Sequence, residues 1–158
     1  MNNYYIDTSS LKWRYLSGIP TGFVNSVIES PINNVYTSEI TILEWSSALA
    51  VAVRDKTIKL DVFKNNELAF FNDIADTRLK IFQAKRVIER ARSWIEFVGV
   101  IHERSLKSND AIHISAALEL SSQLRESITF ITSDEKLHKA IDSLDVFKPH
   151  LTSHFLKR

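Results

Sequence analysis

The sequence predicts an α/β fold in which a short central parallel sheet is surrounded by helices. Short apolar runs rich in β-branched and aromatic residues alternate with longer stretches of helical periodicity. Only three glycines and three prolines interrupt the 158 residues, so the helices are expected to be long. Two of the short runs end at acidic residues, which is typical of parallel strands that carry a ligand site at their carboxyl ends.

Three short runs predict the strands most clearly, and two others are weaker. The first strand stops at the polar run Asp7 to Ser10, which can cap a helix. Residues 77–82 alternate and predict either a strand or an extended link, while residues 150–158 are expected to fray. In chain order the predicted strands are residues 4–6, 35–37, 77–82, 128–131 and a last edge strand at 146–147.

Helical periodicity covers most of the chain between these strands. In one such stretch Ile42, Trp45, Leu49 and Val53 recur on a single stripe. Since helices separate the strands and no linker or repeat interrupts the pattern, we expect one domain over residues 1–158. The predicted helices are residues 11–16, 23–28, 38–54, 60–73, 84–98, 108–120 and 137–141.

Composition excludes several classes of protein. The chain has no cysteine, so it carries neither a disulfide framework nor a thiolate metal site. No apolar run approaches the roughly 18 residues that span a bilayer, and the amino terminus lacks the basic region of a secretory signal. We therefore expect no membrane partner, and the missing signal is consistent with a cytoplasmic location.

Bulk charge does not indicate a nucleic-acid partner, because 20 basic residues meet 19 acidic ones. The distribution is uneven, however. Residues 78–92 contain six basic side chains and the single acid Glu89, and Arg104 and Lys107 follow. This basic segment is either a contact surface for RNA phosphates or a solvated helix face.

Four acids stand where a carboxylate needs an explanation. Asp7 and Asp134 follow predicted strands, so they share one crevice if those strands are neighbours. Glu44 and Asp110 lie within apolar helical stretches, where an unpaired carboxylate is costly to bury. Each acid also has a structural reading: Asp7, Asp110 and Asp134 as helix caps or first-turn acids, and Glu44 as a partner of Lys12 or Arg14.

Convergence of the four acids predicts a divalent cation. Two carboxylates about 4 Å apart repel by roughly 4 kcal/mol at an effective dielectric near 20, and a cation reverses that sign. Oxygen ligands without cysteine favour Mg²⁺ or Mn²⁺. Thr8, Ser9 and Thr132 either bond to a metal-bound water or ligand or cap helices, and Asn109 either contacts the phosphate or caps its helix; capping is the preferred interpretation for all four. His113 is expected to be a structural histidine rather than a ligand.

The chain resembles PIN-domain ribonucleases, and more narrowly the VapC-type toxins of prokaryotic toxin–antitoxin pairs. The resemblance runs from Tyr4 to about Phe147, although residues 60–97 match no motif. The most specific stretch is Asn109-Asp110-Ala111-Ile112-His113. The other matching stretches are Tyr5-Ile6-Asp7-Thr8-Ser9, Thr41-Ile42-Leu43-Glu44 and Phe130-Ile131-Thr132-Ser133-Asp134.

The resemblance implies a PIN-like α/β/α sandwich and cleavage of RNA by a Mg²⁺- or Mn²⁺-dependent endonuclease. The family's catalytic, metal-binding acids fall on Asp7, Glu44, Asp110 and Asp134, with Glu44 either completing the metal's ligands or orienting the attacking water. A further family acid has a possible counterpart in Glu135. The resemblance also implies a cognate antitoxin that covers the acidic crevice, and a homodimer, for which the apolar residues of segment 11–28 are a candidate interface.

Two other readings remain open. The first is a catalytically silent PIN-like module that binds RNA or protein, and the second is a different α/β enzyme. A nucleotide binder or phosphatase is disfavoured, because Gly18, Gly22 and Gly99 are isolated and form no phosphate-binding loop.

Overall fold

The computed structural model of the protein describes residues 1–102 and 105–157. These residues form five strands and seven α-helices, with a short 3₁₀ turn at Lys12–Arg14 and a π-helical turn at Phe97–Ile101. In chain order the elements are β1 (Asn2–Ile6), α1 (Thr8–Leu11), α2 (Thr21–Glu29), β2 (Asn33–Ser38), α3 (Ile40–Arg54), α4 (Leu60–Ala75), β3 (Lys80–Phe82), α5 (Val87–Glu96), α6 (Ser108–Leu124), β4 (Ile128–Thr132), α7 (Glu135–Ser143) and β5 (Leu151–Phe155).

The sheet is parallel throughout, in the order β3-β2-β1-β4-β5. The predicted α/β class is therefore confirmed. Asp7 and Asp134 were expected to share one crevice if the strands before them were neighbours. They are neighbours, because β1 pairs directly with β4 and Ile6 with Ile131. Their carboxyl ends meet at one edge of the sheet.

Two hydrophobic cores cover opposite faces of the sheet. Successive residues of a strand point to opposite faces. Tyr5 and Phe130 accordingly belong to the core beneath α5, α6 and α7, whereas Ile6 and Ile131 belong to the core formed with α1 to α4. This arrangement is the three-layered α/β/α sandwich that the sequence predicts.

The carboxyl-terminal part of the chain corrects two predictions. Residues 146–147 are not a strand: they lie in a turn in which Phe147 is buried in the core. The last edge strand is β5, which lies within the segment expected to fray and pairs with β4 from Leu151 to Phe155. Burial of Leu151 and the backbone bonds to β4 hold this segment in place.

Smaller differences concern the first helix and residues 77–82. The helix predicted at 11–16 instead begins at Thr8 and becomes a 3₁₀ turn after Leu11, because Asp7 caps it earlier than expected. Of residues 77–82, only Lys80–Phe82 form a strand. No helix of the described residues is long and apolar enough to cross a membrane.

A buried ion pair fastens α4 to the segment that follows α1. The Asp73 carboxylate is 3% exposed and accepts hydrogen bonds from Arg14 Nε at 2.9 Å, Arg78 Nη1 at 2.9 Å and the Tyr15 hydroxyl at 3.0 Å. Arg14 is itself largely buried. Charges removed from water in this way depend on their partners, so the pair fixes the two segments to each other.

We expect Asp73→Ala to lower the free energy of unfolding by about 3 kcal/mol, because it leaves the Arg14 guanidinium buried without its main partner. Chemical denaturation measures the change. The matched control is Asp76→Ala, which removes an exposed acid paired with the same Arg78 and should change stability by less than about 0.5 kcal/mol. Equal losses in the two variants would contradict the structural role assigned to Asp73.

Candidate active site

The four acids singled out in the sequence lie at the carboxyl edge of the sheet. Asp7 directly follows β1, and Asp134 follows the neighbouring β4 after one residue. Glu44 lies in α3, which begins just after β2, and Asp110 lies in the first turn of α6. The charges of Asp7 and Asp134 both act on the pKa of Asp110, so Asp110 is within electrostatic reach of both other aspartates.

The Asp7 carboxylate is buried and held from several sides. It caps α1 by accepting a hydrogen bond from Ser10 N at 2.9 Å, and the hydroxyl of Ser9 donates to both of its oxygens. Thr132 Oγ1, at the end of β4, donates to Oδ2 at 2.7 Å. Burial raises the pKa of Asp7 above its ordinary value, although these hydrogen bonds oppose the shift.

Asp134 is fixed by the same hydroxyl group that holds Asp7. Thr132 Oγ1 accepts a hydrogen bond from Asp134 N at 3.0 Å while donating to Asp7, so one side chain spans both strand ends. The Asp134 carboxylate caps α7 by accepting from Lys136 N and Leu137 N. Burial raises its pKa, but the bonds to these amides and the ammonium of Lys107 lower it below the ordinary value overall.

Asp110 differs from its neighbours because no described side chain or amide donates a hydrogen bond to its carboxylate. Burial, the negative charge of Asp134 and that of Asp7 raise its pKa from 3.8 to about 6, although Lys107 and His113 oppose the shift. The cap reading of Asp110 is wrong, because Lys107 occupies the cap position of α6. Asp110 is therefore a partly buried acid whose charge the described residues offset only in part.

Glu44 is bound by three side chains. Asn109 Nδ2 donates to Oε1 at 2.7 Å, while Thr8 Oγ1 and His113 Nε2 donate to Oε2, the latter at 2.9 Å. Burial raises the pKa of Glu44, but these hydrogen bonds outweigh burial and lower it. The pairing of Glu44 with Arg14 considered in the sequence does not occur, since Arg14 bonds to Asp73 instead.

His113 connects Glu44 to the buried interior. Its Nδ1 lies 2.9 Å from the Tyr5 hydroxyl and 3.3 Å from Ser38 Oγ. Burial raises the pKa of Tyr5, so its hydroxyl keeps its proton and donates to Nδ1, while Nε2 donates to Glu44. As expected from the sequence, His113 is a structural histidine, and it fixes the orientation of an acid at the site.

The polar residues for which capping was the preferred interpretation take part in the acid network. Thr8 and Asn109 bond to Glu44, whereas Ser9 and Thr132 bond to Asp7. The roles of Thr8, Asn109 and Thr132 could not be assigned from local sequence, because their contacts join residues far apart in the chain. Ser9, in contrast, bonds to an acid only two residues before it. The position of all four within three residues of an acid was the only available signal.

The donor chemistry of the three aspartates fits a hard divalent cation. They supply carboxylate oxygens, the charges of Asp7 and Asp134 raise the pKa of Asp110, and the Asp110 carboxylate accepts no hydrogen bond from the described residues. Within the described residues, no three acidic or histidine side chains already surround a common point at ligand distance. Because Mg²⁺ binds through few carboxylates and keeps several waters, an open donor set is consistent with this ion.

Two clefts flank the acids. One, about 580 Å³, borders Glu44 and includes Thr8, Lys12, Leu43 and Asn109. The other, about 700 Å³, borders Asp134 and includes three lysines. The site is thus open on both sides, as a polymer substrate would require.

The basic segment 78–92 is largely neutralised within the fold. Arg78 bonds to Asp73 and Asp76, Arg86 to Glu89, Arg90 to Glu119 and Arg92 to Glu96, while Lys80 donates to Asn34. These contacts favour the structural reading of the segment over a phosphate-binding surface. Arg104 lies outside the described residues, whereas Lys107 lies beside Asp134.

We expect metal-free protein to lose stability as pH rises from about 4 to about 6. The raised pKa of Asp110 means that the folded state keeps a proton that the unfolded state has already released, so folding is disfavoured as that proton leaves. Asp110→Asn should reduce this loss and stabilise the protein at pH 7 by about 1 to 2 kcal/mol, after allowance for partial exposure.

Chemical denaturation in EDTA across pH 4 to 7.5 measures both effects. The control is Asp61→Asn, an exposed acid on α4 away from the site. If Asp110→Asn proved no more stable than the wild type at pH 7, the electrostatic conflict at the site would be disproved.

Comparison with known proteins agrees with the architecture described above. The fold is similar to that of VapBC2 from Rickettsia felis bound to a promoter DNA fragment, with 14% identity over 96% of this chain and 98% of the other and a TM-score of 0.63. It is similar to VapBC-5 of the VapBC toxin–antitoxin family from Mycobacterium tuberculosis, with 15% identity over 99% and 100% and a TM-score of 0.61. It is also similar to VapBC-1 from nontypeable Haemophilus influenzae, with 14% identity over 96% and 97% and a TM-score of 0.59.

At this level of identity the structural likeness shows a shared fold. No curated protein sequence matches the chain significantly. The family model of the PIN domain, however, matches residues 4–142, which is most of the chain. The resemblance identified in the sequence is thereby confirmed: the chain belongs to the PIN domain family.

Proposed function

We propose that this protein is an endoribonuclease that depends on Mg²⁺ or Mn²⁺ and is the toxin of a type II toxin–antitoxin pair. The observation that carries the proposal is the group of three aspartates where the carboxyl ends of β1 and β4 meet the start of α6: Asp7 and Asp134 both repel Asp110, whose carboxylate accepts no hydrogen bond from the described residues. Such a group is unfavourable unless a cation joins it. Family membership and the VapBC complexes among the similar structures support the nuclease and toxin assignments.

Asp7, Asp110 and Asp134 are the residues that would hold the metal. When bound, a divalent cation lowers the pKa of a water and offsets charge at a scissile phosphate. Asp7 and Asp134 are positioned in advance by helix amides and by Thr132, and Asp110 supplies a carboxylate that accepts no hydrogen bond from the described residues. Cleavage of this kind needs mainly positioning and charge neutralisation, so the absence of a cysteine nucleophile is no obstacle.

Of the two roles considered for Glu44, orienting a water fits its surroundings better than completing the metal's ligands. A carboxylate has about four acceptor positions, and Asn109, Thr8 and His113 occupy three of them. The remaining position, on Oε1, can accept a hydrogen bond from a water. Glu44 thus joins α1, α3 and α6 around the aspartates, while the described residues occupy three of its four acceptor positions.

The proposal extends to partners and assembly. A cognate antitoxin covering the acidic crevice is supported by the toxin–antitoxin complexes that share this fold. A homodimer and a cytoplasmic location follow from the family resemblance alone. The interface suggested at residues 11–28 gains little support, because Leu11, Val24, Val27 and Ile28 are buried in the core and only Ile19 is a strongly exposed apolar side chain there.

The silent-module alternative makes the opposite prediction for metal-dependent cleavage. We expect purified protein to cut single-stranded RNA in Mg²⁺ or Mn²⁺, and Asp7→Asn to reduce the rate by more than about 100-fold, beyond the loss typical of residues that only orient a ligand. The fold should remain intact, since asparagine also caps helices and carries no charge to bury.

Cleavage of a labelled RNA and circular dichroism of the same samples test this prediction. Asp145→Asn, an exposed acid paired with Lys148, is the control and should cut at the wild-type rate. An Asp7→Asn protein that is folded and cuts RNA as fast as the wild type would refute the role of Asp7.

Metal binding should be visible without catalysis. At a metal concentration 100 times its dissociation constant, Mn²⁺ should stabilise the wild type by about 2.7 kcal/mol. Asp110→Asn should abolish most of this gain, whereas Glu44→Gln should retain it, because Glu44 is held by protein donors. Thermal unfolding with and without Mn²⁺ gives the answer, and loss of the gain in Glu44→Gln alone would make Glu44 the principal ligand.

A further inference from the structure

A basic cleft lies on the Asp134 side of the site. It is formed where the residues preceding α6, the start of α7 and the end of β5 come together, and its volume is about 700 Å³. We call it the lysine cleft. Its principal lining residues are Lys107, Asp134, Glu135, Lys136, Phe155 and Lys157.

The lysines of this cleft are available for a ligand. Lys107 is 72% exposed, and its contact with Asp134 is a long ion pair of 3.5 Å, which contributes little in water. Lys136 and Lys157 are exposed, and neither forms an ion pair with any residue of the described ranges. Glu135 does not offset them, because it pairs with Lys139 at 2.6 Å.

This availability contrasts with the segment that looked most basic in the sequence. There the arginines are bound to acids of their own or neighbouring helices, as described above. In the lysine cleft, by contrast, Glu135 pairs with Lys139, which is not a lining residue. The other lining acid is Asp134, a proposed metal ligand. A cation held by that acid would make the cleft more positive.

An aromatic ring is held in the wall of the cleft. Phe155 is partly buried and stacks on His138, with ring centroids 5.4 Å apart and an interplanar angle of 17°. His138 is fixed in turn by a 2.6 Å contact between Nδ1 and Ser153 Oγ. Because both rings are fixed, Phe155 can serve as a stacking platform for a base without being ordered on binding.

We propose that the lysine cleft binds the single-stranded RNA segment adjacent to the phosphate that is cut. Lys107, Lys136 and Lys157 contact backbone phosphates, and an unpaired base stacks on Phe155. Positive side chains interleaved with an aromatic platform are the recurrent means of holding single strands. A duplex is excluded from this mode, because its bases are already stacked and paired. The inference rests on the proposed function, since Asp134 is the residue shared by the cleft and the acid site.

Binding can be measured apart from cleavage by omitting the metal. Fluorescence anisotropy of a labelled single-stranded RNA, titrated with full-length protein in EDTA at several salt concentrations, gives affinity and its salt dependence. The test variant is Lys136→Gln with Lys157→Gln. The control variant, Lys64→Gln with Lys85→Gln, removes the same charge from exposed positions on α4 and in the basic segment.

We expect the test variant to bind about tenfold more weakly and to lose roughly 0.7 from the salt slope for each phosphate contact removed. The control should bind within about twofold of the wild type. Phe155→Leu should weaken binding of the single strand about tenfold and leave binding of duplex RNA unchanged. Thermal unfolding of each variant shows whether the fold is retained.

The inference is overturned if the lysine variant keeps wild-type affinity and salt slope, or if the control loses as much. Duplex RNA that binds as tightly as the single strand, with the same loss in the lysine variant, also overturns it. Failure of the proposed function looks different: no cleavage in Mg²⁺ or Mn²⁺, while the lysine variant still loses single-strand binding. That result would leave an RNA-binding module with an inactive centre.

Discussion

Electrostatic repulsion of Asp110 by Asp7 and Asp134 is the constraint on which the rest of this site depends. Parallel pairing of β1 with β4 brings two strand ends together, and the first turn of α6 brings a third acid to them. This proximity does not stabilise the folded state, since like charges within a partly buried site repel one another. Hydrogen bonds stabilise the carboxylates of Asp7 and Asp134, whereas the carboxylate of Asp110 accepts none from the described residues.

The two cores explain how the fold withstands this cost. Alternate residues of β1 and β4 enter separate hydrophobic layers, so each strand is anchored on both faces up to the point where its acid begins. The buried pair of Asp73 with Arg14 adds a rigid connection on the α4 side. The strand ends can therefore be followed by charged side chains, because burial of the preceding strand residues fixes the positions of those ends.

Much of the architecture follows from local signals. The strand around Tyr5 and the strand around Phe130 were recognisable from short apolar runs, and the acids after them from their positions at the ends of those runs. β5 was missed because its alternation is modest and because position near a terminus suggested fraying. Its stability comes from pairing with β4, which is a long-range contact that no local pattern reports.

The same distinction separates the predicted from the unpredicted parts of the site. Asp7, Glu44, Asp110 and Asp134 could be selected because acids beside apolar runs are unusual. The donors that hold them could not be assigned, because Thr132 reaches across 125 residues to Asp7 and Asn109 across 65 to Glu44. Likewise, the charge of residues 78–92 was visible in the sequence, but its neutralisation by Asp73 and Glu119 was not.

Asp7 and Asp134 each cap a helix in addition to their proposed role as metal ligands. The cap affects how readily each carboxylate can bind an ion. Carboxylates already immobilised by amide hydrogens have little conformational entropy left to surrender when a ligand arrives. The same geometry limits drift over evolutionary time, because a side chain one methylene longer would have to give up either the cap or its reach. The need to cap a helix therefore restricts these two positions to the side-chain length of aspartate.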